Sequence, residues 1–167
     1  MTKLNQFERT SCDCHQCQAA CKHMPGMLAP GDIDRIAEYV GVDMADEKPA
    51  DSFIRNNFRA SDGAVVVSDG IPFQIPTVVP AQRENGRCVF LTEDDRCSIH
   101  PVAPFGCSQF NVCDGPSRDA GRRSSACLQE IVVSIDYHML WNWLKRKGLT
   151  VPSVFNRRQK LQKSLDE

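Results

Sequence analysis

The stretch Cys12-Asp-Cys14-His15-Gln-Cys17-Gln-Ala-Ala20-Cys21-Lys-His23 places four cysteines and two histidines in twelve positions. Five more cysteines follow, at 88, 97, 107, 113 and 127, making nine in 167 residues. A thiolate is a soft ligand that suits zinc, copper(I) and iron–sulfur clusters. Cys14-x2-Cys17 has knuckle spacing, in which two intervening residues let both sulfurs reach one metal while backbone amides donate to them. A single such pair says little. Set among four clustered cysteines, it points to metal.

The surroundings decide how nine thiols are read. The first residues, MTKLNQFERTSC, hold no apolar core and no small-residue cleavage site, so no secretory leader is expected. No stretch approaches eighteen consecutive apolar residues, so no membrane span is expected. The expected compartment is the cytoplasm, where disulfides are rare and clustered cysteines are more often metal ligands. Nine is also odd, which forbids complete pairing within one chain. Hydrophobic residues make up 41% and charged residues 25%, ordinary for a globular chain able to bury a core. The net charge of −1 argues against a nucleic-acid binder. Charge is uneven, however. Residues 118–167 carry ten Lys or Arg against five Asp or Glu, and residues 1–117 carry ten against sixteen. The basic C-terminal third is therefore the expected contact for any protein partner, beside its plainer reading as a solvated helix face.

The elements that must position the thiols follow from periodicity. Asp32 reads as an N-cap, Ile33, Ile36 and Val40 share a helical face, and Gly41 reads as the stop. DSFIRNNFRA predicts a second short helix with Phe53, Ile54 and Phe58 inward. Val65–Val67 and Gln74–Val79 read as extended runs joined by an Asp69-Gly70 turn, with Pro72, Pro76 and Pro80 arguing against a central strand. GRCVFLTEDDRCSI predicts a β-hairpin that brings Cys88 and Cys97 together. Leu128, Ile131, Val132, Ile135, Met139 and Trp143 recur at helical spacing and predict one long helix over 124–147, with Cys127 in its first turn and Gly148 as its stop. A last helix is expected about Phe155–Leu165. The expected architecture is a small irregular α+β domain over 1–167, with short hairpins and several helices gathered around a cysteine metal site and a helical C-terminal part from about 124.

No ferredoxin-type cysteine run, paired zinc-ribbon knuckle, Walker A, GxGxxG or GxSxG occurs in the chain. Five separated blocks do form a pattern: C14-HQ-C17-QAA-C21, GR-C88-VFL, R-C97-SIH, AP-FG-C107-SQF and A-C127-L. Together they resemble the YkgJ-type, or CxxCxxCC, family, described as chelating zinc or iron. The resemblance runs from residue 14 to about 128. It implies metal binding by Cys14, Cys17, Cys21, Cys88, Cys97, Cys107 and Cys127. The chain departs from the pattern in places. The third cysteine of CxxCxxCC is Ala20, the tyrosine after C-x-I is His100, and the arginines around Cys107 are absent. Cys12 and Cys113 have no counterpart in the pattern. Either can supply the missing thiolate, Cys12 by folding back over the same metal and Cys113 from an irregular segment, with His100 as the third substitute.

Three kinds of function fit these residues. One is an iron–sulfur or iron protein acting in electron transfer, cluster handling or metal-dependent modification. Another is a zinc module with a structural or protein-binding role. The last is a metalloenzyme with an open coordination position. Cysteines scattered over five blocks, instead of paired knuckles, favour a cluster gathered from distant segments, and iron–sulfur is the first reading.

Overall fold

The computed structural model describes residues 4, 7–8, 14–111, 113 and 117–152, and for residues 64–68 the backbone alone. In chain order the elements are α1 (His15–His23), α2 (Asp32–Val40), α3 (Glu47–Asn57), β1 (Phe58–Ser68), β2 (Ile71–Pro80), a 3-10 turn (His100–Val102), α4 (Phe105–Ser108), α5 (Arg118–Val133), α6 (Ile135–Arg146) and β3 (Thr150–Val151). The architecture is mixed α+β, as expected. Cys12 and the helix expected over 155–165 lie outside the described residues.

The sheet is one long antiparallel hairpin plus a short parallel strand, in the order β2-β1-β3. Asp69 (φ 52°) and Gly70 (φ 76°) close the hairpin. Two consecutive positive φ values match the right-handed twist of paired strands. The three prolines sit on β2, an outer strand, where a missing N–H costs no ladder bond on the open side.

Local chemistry sets the helix ends, in places one residue or one turn from expectation. Asp32 opens α2 at its first helical position, after Gly31 as N-cap. Its carboxylate instead accepts from Ala29 N and Phe105 N, both at 2.8 Å, and pairs with Arg35. It is a buried strut between α2 and α4, and burial raises its pKa against the lowering pull of Arg35. The second helix starts earlier than expected because the Asp46 carboxylate caps it, and it ends before Phe58, which is buried at the start of β1. Val40, expected inward, is exposed at the last position of α2.

The single helix expected over 124–147 is two. Ser134 leaves the helical region (φ −87°, ψ 103°), and its hydroxyl accepts from Tyr137 N to cap α6. Val132, Val133 and Ile135 crowd the junction with β-branched side chains that are weak helix formers. The break turns Val132, Ile135 and Met139 outward. The first helix of the pair also begins at Arg118, so Cys127 lies in its middle and not in its first turn.

Leu28, Ile36, Phe58, Val78, Ile99, Ile131 and Leu144 are at most 1% exposed and form the core. The Tyr137 hydroxyl crosses it, donating to Leu28 O and accepting from Val78 N, each at 2.8 Å. Leu28 N in turn donates to Val78 O at 2.8 Å. The segment after α1 is thereby stitched to β2 and α6. Trp141 Nε1 donates to Ser61 O at 2.7 Å and fixes α6 on β1.

Candidate metal centre

Cys14, Cys17 and Cys21 stand at helical spacings of three and four. Cys14 is the N-cap of α1, Cys17 is buried one turn later, and Cys21 follows one turn beyond. The cysteine-rich stretch is thus a helix with its thiols on one side. That spacing was readable in the sequence beside the knuckle. The helix is docked by its C-terminal end. Cys88 N donates to Lys22 O at 2.9 Å, Gln82 Nε2 donates to His23 O at 2.7 Å, and Lys22 pairs with Asp95.

The segment carrying Cys88 and Cys97 is less regular than a hairpin. Single bridges, Gln82 with Cys88 and Leu91 with Cys97, replace continuous strands. Thr92 N to Arg96 O and Ser98 N to Phe90 O, both 2.8 Å, close the tight return between the two cysteines. The polar TEDD stretch gives a turn with Asp95 at φ 62°, held by Lys22 and Arg87. Few strand-forming residues remain to extend the ladder. The outcome for the thiols is the expected one: Cys88 and Cys97 face the same space.

That space is a cavity of about 120 Å³ lined by Cys17, Cys21, Cys88, Cys97 and Cys107, with Ala20 and His100 also on its wall. Phe90, Leu91, Ile99 and Phe110 supply apolar wall between the thiols. The fourth block reaches it through a contact that sequence reasoning missed. Gly26 and Gly106 touch backbone to backbone: a Cβ on Gly26 would lie 2.1 Å from Gly106 C. Gly106 N donates to Met27 O at 2.8 Å, and Gly26 N donates to Cys107 Sγ at 3.1 Å. Only two glycines let α4 approach so near, and the approach delivers Cys107. An N–H aimed at sulfur favours the thiolate, the form that binds metal.

Burial works the other way. It pushes the Cys88 thiol up to about 11, against a backbone hydrogen bond that lowers it, with Cys97 and Cys21 raising it further. Cys107 is raised for the same leading reason, with Cys21, Cys88 and Cys97 adding to it. Cys21 is raised by burial, then by Cys97 and Cys17. Several thiolates packed this closely repel one another, and a cation among them removes that penalty.

A second gathering lies beside the first. The sulfurs of Cys14, Cys17 and Cys113 all lie within 4.8 Å of one another, and Cys17 and Cys113 are 3.8 Å apart. Cys113 arrives from 96 positions away, and nothing in its local spacing announces this partnership. Cys17 belongs to this group and also lines the cavity. Cys127 joins neither. It is fully buried in the apolar core with Leu128 and Ile131, and its thiol is pushed up to about 12 by burial, then by Asp32 and Glu130. His138 Nε2 lies 3.1 Å from Ile131 O, a structural contact within the helix pair.

Soft donors converging from helix, turns and loops on one cavity define the class: a thiolate metal-chelating domain. The residue pattern agrees. A family model described as "Putative zinc- or iron-chelating domain" matches residues 13–128, and the chain belongs to that CxxCxxCC family. Neither a curated protein nor a solved structure matches the chain. The protein binds metal through clustered cysteines. Among the described residues no helix is long and apolar enough to cross a membrane.

Proposed function

We propose that the cavity holds an iron–sulfur cluster on Cys21, Cys88, Cys97 and Cys107, and that the protein acts in electron transfer or cluster handling. One observation carries this reading. Four thiols from four separate segments surround one cavity, yet among the described residues the group that contracts to single-ion spacing is Cys14, Cys17 and Cys113, not these four. A cluster interposes irons and sulfides between its ligands, so its thiolates stand farther apart than those around one ion. Four thiolates also match the ligand count of the common clusters.

When bound, such a cluster supplies one-electron redox chemistry. The chain's own residues do the rest. Phe90, Leu91, Ile99 and Phe110 lower the polarity around the sulfurs, while Cys21 stays exposed to solvent. The Gly26 N–H on Cys107 Sγ withdraws charge from that ligand, which raises the potential of a centre it binds. Four thiolates fill the protein's share of the shell. This favours carrying electrons or a cluster over catalysis at an open position.

The test is anaerobic reconstitution with ferrous iron and sulfide, read by visible absorption and Mössbauer spectroscopy. We expect a brown protein with iron and acid-labile sulfide in equal amounts, lost in Cys107→Ser. A colourless protein that takes up zinc and no iron would overturn the proposal.

A further inference from the structure

We propose that Cys14, Cys17 and Cys113 form a second site, holding one thiophilic divalent cation of the zinc class apart from whatever occupies the cavity. The inference does not require iron in the cavity.

Distance is the first argument. A tetrahedral ion with metal–sulfur bonds of about 2.3 Å holds its sulfurs about 3.8 Å apart. Cys17 and Cys113 already stand at 3.8 Å, and all three sulfurs fall within 4.8 Å. These thiols need only small rotations to close on one ion. A four-iron cluster, with each thiolate on a different iron, would hold all three sulfurs farther apart.

Position is the second argument. Cys17 is buried, Cys14 is half-buried and Cys113 is exposed. The site therefore opens to solvent on its Cys113 side. Binding releases one proton from each thiol that enters as RSH, so M²⁺ with three thiols gives a tris-thiolate of net charge −1 and three protons. A fourth ligand from solvent or from the chain completes the tetrahedron.

Chain-specific residues are the third argument. The family pattern puts a thiol at the position of Ala20, and Ala20 faces the cavity here. Cys113, outside that pattern, is the one drawn to Cys14 and Cys17. Seven of the nine thiols thus divide into a wide set and a narrow set, with Cys17 at the border.

The experiment uses the full reduced chain, freed of metal and titrated anaerobically with Co²⁺. Native mass spectrometry reads stoichiometry, and the tetrahedral d–d bands between 600 and 750 nm, roughly the region thiolate cobalt occupies, read geometry. We expect Cys113→Ser to lose one cobalt per chain while iron–sulfur reconstitution of the cavity is unchanged. Cys107→Ser should lose the cavity's metal and keep the cobalt of the narrow set. Cys113→His should keep that cobalt with blue-shifted d–d bands, because imidazole replaces a thiolate without emptying the site. Unchanged cobalt stoichiometry and spectrum in both Cys113 variants would overturn the inference. So would loss of all metal from Cys113→Ser and Cys107→Ser alike in folded chains, which would mean one site. If the cavity refuses iron while cobalt still depends on Cys113, the function proposed above falls and this inference stands.

Discussion

Cys127 and Cys107 look alike in sequence, and their surroundings separate them. Cys107 Sγ accepts a hydrogen bond from Gly26 N and faces four other thiols. Cys127 packs among Leu128, Ile131 and Tyr137 with no exposure at all. Cys127→Ala should therefore leave metal content at the wild-type value while lowering stability by about 1–2 kcal/mol through lost packing. Elemental analysis beside a thermal melt checks this, and a loss of metal equal to that in Cys107→Ser would make Cys127 a ligand. The raised thiols also fix the direction of a pH effect. A metal must displace a proton from each, so affinity climbs with pH until the thiol's own pKa, about 11 for Cys88. Each thiol that loses a proton on binding adds about one decade of apparent affinity per pH unit. Chelator competition at two pH values around neutrality should show a rise steeper than one decade per unit. A flat profile would mean that the thiols are not the ligands.

At the scale of elements, the crossing of Gly26 over Gly106 decides whether the fourth thiol arrives. Gly26→Ala would drive a methyl into Gly106 C at 2.1 Å and Cys107 N at 2.6 Å, both backbone atoms. The chain must part there, at a cost on the order of 3 kcal/mol, or about 6–12 °C in melting temperature. The variant should also bind less metal in the cavity, because α4 carries Cys107 away with it. A melt and a metal assay that both match wild type would show that the crossing positions nothing.

Elements also mark what the sequence disclosed. The periodicity of α2 and the Asp69-Gly70 turn were legible because helix and hairpin signals are local. Cysteines spaced three and four apart in Cys14, Cys17 and Cys21 carry the signal of α1, but Cys14-x2-Cys17 is equally the spacing of a metal knuckle. The break at Ser134 was hidden because the apolar period continues across it. Hydrophobic spacing does not report that a serine has turned its hydroxyl to cap the next helix. The Gly26 crossing was out of reach, since it joins residues 81 positions apart; Cys113 was a candidate substitute ligand by residue type alone, and its pairing with Cys17 across 96 positions had no local signal. The family pattern supplied what local chemistry could not: that the blocks holding Cys17 and Cys21, Cys88, Cys97 and Cys107 converge on one space.

For the molecule as a whole, regular structure and thiols occupy different parts. α2, α3, the sheet, α5 and α6 enclose the core of Ile36, Phe58, Val78, Ile131 and Leu144. The thiol half is α1 with the segment over 81–108, held by single bridges, turns and two short helical pieces. Phe90, Leu91, Ile99 and Phe105 anchor that segment in the same core, but it has few ladder hydrogen bonds and gains order from ligation. Stripping the metal from reduced protein should raise amide exchange over 14–27 and 81–108 by tenfold or more, as expected for a loss of about 1.4 kcal/mol or more in local stability. Exchange in β1, α5 and α6 should change little. Hydrogen exchange with mass readout distinguishes this from uniform loosening, which would mean that the core also depends on metal.

The 96 positions between Cys17 and Cys113 have a meaning for biosynthesis as well. A ribosome adding about 5–20 residues per second exposes the thiols of α1 roughly 5–20 s before Cys113 is made. Through that interval the early cysteines have neither their cavity nor their distant partner. They stand as reduced thiols open to oxidation or to any passing soft cation. Complete loading therefore waits until Cys107 and Cys113 have been made, and the reducing power of the surroundings through that interval governs how much of the protein reaches it.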